Sequence, residues 1–160
     1  MFQSSTYSDN QEKAYTLLNK QLDALLEGET DQVANLANAS ALLNQFLNDV
    51  NWVGFYVTKE EQKLILGPFQ GMPACVHIDF GKGVCGTAAA KQETIRVADV
   101  HQFPGHIACD AASRSEIVVP LIKDGKTIGV LDIDSPSLER FNEEDEKYLQ
   151  QFAEILVKHL

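Results

Sequence analysis

Two adjacent strand signals near the C-terminal end of the chain constrain the fold more than any other feature. Residues 116–122 and 127–134 are rich in β-branched and large apolar side chains, and only a short polar segment separates them. Because strands joined by so short a connection run antiparallel, these residues are predicted to form a β-hairpin. A chain of 160 residues has room for one domain. The sequence therefore predicts a single domain over residues 1–160 built on an antiparallel sheet, with residues 1–14 as a loosely ordered N-terminal segment.

Helices are predicted at both ends of the strand-rich region. Apolar residues recur at helical spacing from Ser8 to Gly28 and from Thr30 to Val50, and Asn142 can cap a closing helix. The segments between them are predicted as strands at 51–57, 63–66, 76–80 and 94–97, a glycine turn at 81–86 and a short helix at 87–91. About six strands with antiparallel connections and flanking helices define an α+β domain.

Charge and hydropathy exclude several classes of partner. The formal net charge is −10 and the sequence pI is about 4.7, so nucleic acid and anionic membrane surfaces are repelled. The N-terminus has neither a basic start nor a long apolar stretch, and the longest apolar run spans only residues 117–122. We therefore expect no signal peptide, no membrane-spanning segment and a cytoplasmic location, where cysteines are thiols.

The three cysteines are candidates for chemistry. Cys85 lies between two glycines at a predicted helix start, where free N–H groups and the helix dipole favour a thiolate. Cys75 precedes a short predicted strand, and Cys109 lies in the long polar segment 103–115, a length typical of functional loops. The spacing contains no C-x₂₋₄-C pair, so no metal site is predicted. Packing without chemistry is the alternative for each cysteine.

Basic side chains bracket Cys109 in the sequence, namely His101, His106 and Arg114. If the loop folds back on itself, their positive charge lowers the pKa of the Cys109 thiol. Cys109 would then be a reactive thiol.

Carboxylates continue an apolar stripe on the second hairpin strand. Asp132 and Asp134 share one face with Ile128 and Val130. Two adjacent acids on a buried face repel each other, so a cationic group is expected to meet them.

The hairpin register decides whether Glu116 joins these acids. A two-residue turn pairs Lys123 with Lys126 and places Glu116 on the opposite face. A three-residue loop ending at a left-handed Gly125 sets Glu116 opposite Asp132. We favour the longer loop, which brings three carboxylates together to hold an ammonium group or a hard cation; a solvated strand end is the alternative.

Aromatic residues line the first predicted strand. Trp52, Gly54 and Tyr56 share one face, and core packing is the ordinary role of such a stripe. The gap at Gly54 leaves room for a small group between the two rings. Trp52 and Tyr56 are therefore also candidates for the wall of a pocket.

Several segments resemble those of known proteins. Residues 80–89, 95–100 and 128–135 resemble GAF domains. More narrowly, residues 51–56 and the three cysteine contexts resemble the free methionine-(R)-sulfoxide reductases, with these contexts at 73–75, 83–86 and 106–110. The resemblance runs from about Tyr15 to the C-terminus. It implies a central antiparallel sheet with the N- and C-terminal helices on one side and the ligand pocket on the other.

The resemblance also implies an activity. It implies reduction of free methionine (R)-sulfoxide to methionine, with electrons from thioredoxin and without a cofactor or metal. Cys109 would be the nucleophile, with Cys85 and Cys75 acting in resolution, and we favour Cys85 as the first partner because of its helix-start position. Five residues would bind the substrate: Glu116, Asp132, Asp134, Trp52 and Tyr56.

Two other classes of function stay open from the sequence. One is a GAF sensor module in which the cysteines only pack, and the other is a non-catalytic redox switch in which a disulfide changes the oligomeric state. We expect no nucleic acid or membrane partner, and a homodimer is an open alternative.

Overall fold

The computed structural model describes residues 2–107 and 109–160, so Met1 and Ala108 lie outside the described residues. Over these residues the chain forms four α-helices, six strands and one 3₁₀ turn. Their order is α1 Gln11–Leu26, α2 Gln32–Phe46, β1 Trp52–Glu60, β2 Lys63–Gln70, β3 His77–Asp79, α3 Gly83–Lys91, β4 Ile95–Val97, the 3₁₀ turn Val100–Gln102, β5 Ser115–Lys123, β6 Lys126–Ser135 and α4 Glu143–Val157.

Side-chain caps set where the long helices begin. The side chains of Asn10, Asp31 and Asn142 each accept a hydrogen bond from a backbone N–H three residues further on, and these bonds satisfy donors that the helix itself leaves free. The predicted cap at Asn142 is confirmed. Helix α1 already begins at Gln11, within residues 1–14, and its Ala14 is buried. No helix in the described part of the chain is long and apolar enough to cross a membrane.

The six strands form one sheet in the order β3-β2-β1-β6-β5-β4, and every neighbouring pair is antiparallel. Side chains such as Phe55, Ile117 and Leu131 point to one face, where α1, α2 and α4 cover them in the larger apolar core. The other face carries Trp52 and Tyr56 and packs against α3 and the segment after β4. The predicted α+β class is confirmed, and the N- and C-terminal helices lie on one side of the sheet, as the resemblance implied.

The β5–β6 hairpin has a different turn from the one predicted. Lys123 pairs with Lys126, so the turn has two residues, Asp124 and Gly125, with φ angles of 52° and 75°. Two left-handed residues of type Asp-Gly are what a two-residue hairpin turn requires. The prediction of a three-residue loop is therefore wrong.

An extra residue occurs inside β6 instead of in the turn. Leu121 lies opposite Gly129, whereas the pairs nearer the turn are shifted by one residue, so Ile128 forms a bulge. The bulge changes the side-chain parity of the rest of β6. Glu116 consequently lies opposite Asp134, one pleat beyond its predicted partner, and on the same face of the sheet.

Helix α3 begins earlier than predicted, at Gly83, inside the segment expected to be a tight turn. A Cβ at Gly86 would overlap the carbonyl oxygen of Asp79. Glycine at this position therefore lets the first turn of α3 lie directly against the end of β3, and the helix covers the cavity described below.

Candidate active site

A cavity lies between the second face of the sheet and the cover formed by α3 and the loop after the 3₁₀ turn. Its space, about 520 Å³, includes solvent at the open mouth. Each of the eight side chains predicted from the sequence to form a site either lines this cavity or, in the case of Cys75, is bonded to a residue that does.

Three carboxylic acids form the floor of the cavity. Glu116 on β5 lies directly opposite Asp134 on β6, and Asp132 lies one pleat away between Gly54 and Val118. The Glu116 and Asp132 residues are only 5% and 6% exposed. The predicted convergence of the three acids therefore occurs, although the residue pairs differ from those predicted.

Burial controls the protonation of these acids. Burial raises the pKa of Glu116 and of Asp134 well above the ordinary carboxyl values, and the charge of Asp132 raises both further. Burial also raises the pKa of Asp132, but hydrogen bonds from Glu116 and Cys85 oppose that rise. Asp132 is thus the acid whose charge is least disfavoured, whereas the surroundings of Glu116 and Asp134 both favour the protonated form.

Two carboxylate oxygens of the acids on the floor are buried without a hydrogen-bond partner in the described residues. Asp132 Oδ1 and Asp134 Oδ1 are buried and accept no hydrogen bond from any described residue. Ser113 Oγ donates to the other oxygen of Asp134 at 3.2 Å. Buried acceptors of this kind are costly unless a donor reaches them, so the floor is suited to a small group with several N–H donors.

The wall next to the acids is aromatic. The Trp52 and Tyr56 rings lie 5.9 Å apart between centroids, and Phe69 stacks on Trp52 at 5.0 Å. Trp52 Nε1 donates to the carbonyl of Met72 at 3.1 Å, and the Tyr56 hydroxyl donates to the carbonyl of Cys75 at 2.9 Å. Both rings are therefore fixed in place.

The expected gap at Gly54 is not open. Gly54 pairs with Phe69 on β2, and a Cβ on Gly54 would overlap the Cβ of Phe69. The space between the two rings is closed by this neighbouring strand, so the expectation of a small group bound there is wrong.

A disulfide joins Cys75 to Cys109 at a Cα–Cα distance of 5.9 Å, and both residues are partly exposed. The favoured pairing of Cys109 with Cys85 is therefore not the one that the structure contains. The bond links the loop after the 3₁₀ turn to the segment between β2 and β3.

Cys85 is a free and buried thiol, 5% exposed, whose sulfur lies 4.0 Å from Glu116 Oε1. Burial and the neighbouring acids, Asp132 first, raise its pKa well above the ordinary thiol value. The prediction of a thiolate at this helix start is wrong, because the loss of solvation and three carboxyls outweigh the helix dipole.

One thiol sulfur and two carboxyl oxygens that could bind a metal ion lie close together on the floor of the cavity. Cys85, Glu116 and Asp132 each offer one atom within 4.8 Å of the others. This is the set that a metal ion would use in this cavity, and the sequence spacing gave no indication of it because the residues come from three elements.

Asn51 and Asp110 hold the Cys109 loop, and neither residue was predicted from the sequence. Asn51 Nδ2 donates to Asp110 Oδ2 at 3.0 Å and to Ser113 Oγ at 3.1 Å. These bonds tie the segment after Cys109 to the start of β1 and to Asp134. No local sequence signal marks a contact of this kind, since the partners are far apart in the chain.

Of the three basic side chains near Cys109 in the sequence, one lies in the cavity and two lie at the surface. His106 lines the cavity, with Nδ1 at 3.9 Å from Glu116 Oε2, and burial followed by the charge of His101 lowers its pKa. His101 is 70% exposed and contacts Asp99, and Arg114 is exposed. Lys82 and the first turn of α3 also line the cavity.

Comparison with known proteins assigns the family. The sequence matches the GAF domain family over residues 24–158. It is 63% identical over 161 aligned residues to Protein YtsP of Bacillus subtilis, covering 100% of this chain and 99% of that protein. It is 54% identical over 151 aligned residues to the free methionine-R-sulfoxide reductase of Escherichia coli, covering 94% and 91%.

A solved structure extends the match to three dimensions. The free methionine-R-sulfoxide reductase of Neisseria meningitidis in complex with its substrate superimposes with a TM-score of 0.95 at 46% identity, covering 99% of this chain and 95% of that one. The fold and the sequence thus agree over nearly the whole length of each relative. The chain belongs to the GAF domain family and, within it, to the free methionine-R-sulfoxide reductases.

Proposed function

We propose that this protein is an enzyme that reduces free methionine (R)-sulfoxide to methionine, with Cys109 as the nucleophile. The observation that carries the proposal is the position of the Cys75–Cys109 disulfide on the cavity whose floor is the buried acid cluster. A substrate held on that floor has its sulfoxide within the same cavity as a cysteine pair that can change oxidation state.

The acid cluster explains why the substrate is a free amino acid. The ammonium group has three N–H donors and a positive charge, and it meets the unpartnered oxygens of Asp132 and Asp134. A methionine inside a peptide has an uncharged amide nitrogen with one donor, so it leaves buried carboxylates unpaired. The carboxylate of the substrate lies toward Lys82 and the first turn of α3, where positive charge and free N–H groups are available.

The first chemical step transfers the oxygen. The Cys109 thiolate attacks the sulfoxide sulfur while Glu116 gives its proton to the sulfoxide oxygen. The attack forms a bond between the two sulfurs, giving an adduct that carries the protonated oxygen. The hydroxyl then moves to the Cys109 sulfur as this sulfur–sulfur bond and the sulfur–oxygen bond of the substrate both break, so methionine leaves and Cys109 becomes a sulfenic acid. The substrate sulfur is reduced and the Cys109 sulfur is oxidised, and Trp52 and Tyr56 hold the methyl end of the substrate during the transfer.

The second step forms the disulfide. The Cys75 thiol attacks the sulfenic sulfur of Cys109, the sulfur–sulfur bond forms, and the hydroxyl leaves with the Cys75 proton as water. Cys75 and Cys109 are partly exposed, and the side chains flanking Cys75 include Met72 at 64% and Val76 at 50% exposure. An external dithiol can reach this bond, and thioredoxin, with a potential of about −270 mV, is the proposed reductant.

The cellular compartment of the enzyme is inferred from the need for reduced thiols. A reducing compartment is needed to regenerate Cys75 and Cys109, and we assign the enzyme to the cytoplasm on that basis.

An assay with matched substrates tests the proposal. Reduced protein is incubated with free methionine (R)-sulfoxide, the (S) epimer and the N-acetylated (R) compound, and methionine is measured by chromatography. We expect methionine only from the free (R) epimer and none from the Cys109→Ser variant. Binding without methionine would indicate a sensor module, and cysteine oxidation without methionine would indicate a redox switch.

A further inference from the structure

His106 is the cavity residue that connects Glu116 to the surface. Its Nδ1 lies 3.9 Å from Glu116 Oε2, and its side chain is 16% exposed whereas that of Glu116 is 6% exposed. Among the described residues, the buried Nδ1 atom has no hydrogen-bond partner. The imidazole thus faces the carboxyl with one edge and solvent with another part of the ring.

The other titratable neighbours of Glu116 are acids and a thiol. Cys85 and Asp132 are buried and Asp134 is half-buried, so His106 is the basic side chain within reach of Glu116 among the described residues. If Glu116 gives a proton to the sulfoxide oxygen in each cycle, the same number of protons must return before the next cycle. This requirement rests on the function proposed above.

We propose that His106 is a positioning residue that passes protons between solvent and Glu116. A neutral imidazole accepts a proton at one ring nitrogen and releases one at the other, so the net change in His106 over a cycle is zero. One bridging water or a small rotation of the ring closes the 3.9 Å gap to hydrogen-bond distance. Because burial lowers the pKa of His106, the ring is neutral at pH 7 and gives up an acquired proton readily.

The charged and titratable groups around His106 come from several elements. They are Glu116 on β5, Lys82 and Cys85 at the start of α3, His101 on the 3₁₀ turn, and Cys109 and Asp110 on its own loop. Of these, Glu116 is the carboxyl within ion-pair distance of the ring in the described residues.

Rescue of a truncated side chain tests the relay. The variant His106→Ala is assayed for methionine formation with and without added imidazole, N-methylimidazole or 1,2,4-triazole, across a range of pH. We expect His106→Ala to lower kcat by about 10²-fold, at the low end of the range for positioned proton-transfer groups. Added azoles should restore part of this loss, and the pH dependence of the restored rate should shift with the pKa of the azole. The matched control is His77→Ala, which removes an exposed imidazole on β3 that does not line the cavity and should leave kcat unchanged.

The outcomes separate this inference from the proposed function. An active wild type with a His106→Ala variant of equal kcat overturns the relay alone. So does a loss in kcat that no azole restores, or one that all azoles restore with the same pH dependence, since both describe a structural role. A wild-type protein that forms no methionine overturns the proposed function and the relay with it. Rescue that follows the azole pKa supports both.

Discussion

Replacing Asp134 with asparagine (D134N) should stabilise the substrate-free protein while weakening substrate binding. Asp134 is half-buried opposite Glu116, one of its oxygens accepts from Ser113 at 3.2 Å, and the other is buried with no partner among the described residues. Asparagine keeps an acceptor for Ser113 and supplies an N–H₂ group to the neighbouring acids. It also removes a charge that burial and Asp132 both disfavour.

The size of the effect follows from the unpartnered oxygen. An unsatisfied buried polar group costs about 1–3 kcal/mol, so we expect a gain of that order in the free energy of unfolding. For a chain of 160 residues, each kcal/mol corresponds to a rise in Tm of about 2–4 °C.

The gain should depend on pH in a defined direction. Because the pKa of Asp134 is raised in the folded protein, the folded state keeps this proton at pH values where the unfolded chain has lost it. The stability of the wild type therefore falls as the pH rises from about 4 through the folded pKa, and D134N avoids this part of the fall. The difference between the two proteins should be small near pH 4 and largest above the folded pKa.

Thermal unfolding of the reduced proteins, followed by circular dichroism from acid to mildly alkaline pH, measures this difference. Asp9→Asn is the matched control, because it removes one exposed carboxylate from the same acidic chain. Free methionine sulfoxide should raise the Tm of the wild type more than that of D134N, and the KM of D134N should increase. A D134N protein less stable than the wild type at alkaline pH, or an equal gain in Asp9→Asn, would refute the reasoning.

Three further predictions concern the reaction. Cys75→Ser should form methionine once per chain and then fail to be recycled by thioredoxin, whereas Cys85→Ser should keep recycling. Disulfide mapping after one equivalent of substrate checks this, and a bond between Cys85 and Cys109 would reverse the assignment. N-acetylation of the substrate should cost about 2–5 kcal/mol of binding, because it leaves buried carboxylates unpaired, and equal KM values would contradict the role of the acids. Glu116→Gln should fold normally but lower kcat by about 10²–10⁴-fold, and an unchanged kcat would assign proton donation to another carboxyl.

The acid cluster was predictable from the sequence because strand parity is a strong constraint. The apolar stripe that ends in Asp132 and Asp134 placed both acids on one face, and bringing Glu116 to that face required one extra residue in the hairpin. From the sequence, that residue was predicted at the turn, before Gly125, whereas in the structure it is Ile128. Both positions reverse parity once, so the face was correct although the pairing was wrong.

The state of Cys85 could not be predicted locally. A cysteine between glycines at a helix start is typical of a thiolate, and this feature is visible in the sequence. The groups that raise the pKa of Cys85 lie on β5 and β6, and Glu116 is 31 residues away along the chain. Only the packing of α3 against the sheet brings them together, and the Asn51–Asp110 bond, 59 residues apart in sequence, escaped prediction for the same reason.

Gly54 provides a last test, because the absence of a side chain there lets Phe69 on β2 and the Trp52 ring pack closely against β1. A Cβ at this position would overlap Phe69 Cβ, lie 2.8 Å from Phe69 Cα and lie 2.9 Å from the far edge of the Trp52 ring. Phe69 Cα is a backbone atom of β2 and Phe69 Cβ is bonded directly to it, so neither can turn away. Either β2 or the Trp52 ring must therefore move. Gly54→Ala should therefore cost about 1–3 kcal/mol in the free energy of unfolding and raise KM for methionine sulfoxide.

The chain offers a direct readout and a control for this variant. Trp52 is the single tryptophan in the sequence, so its intrinsic fluorescence reports the position of the ring that the substitution displaces. Gly67→Ala adds a Cβ on the same sheet at 3.1 Å from the Phe55 carbonyl, away from Trp52, and should have a smaller effect on KM. We expect a shifted emission maximum in Gly54→Ala and a smaller response to substrate. If Gly54→Ala kept the emission, the Tm and the KM of the wild type, the aromatic wall would not depend on this contact between β1 and β2.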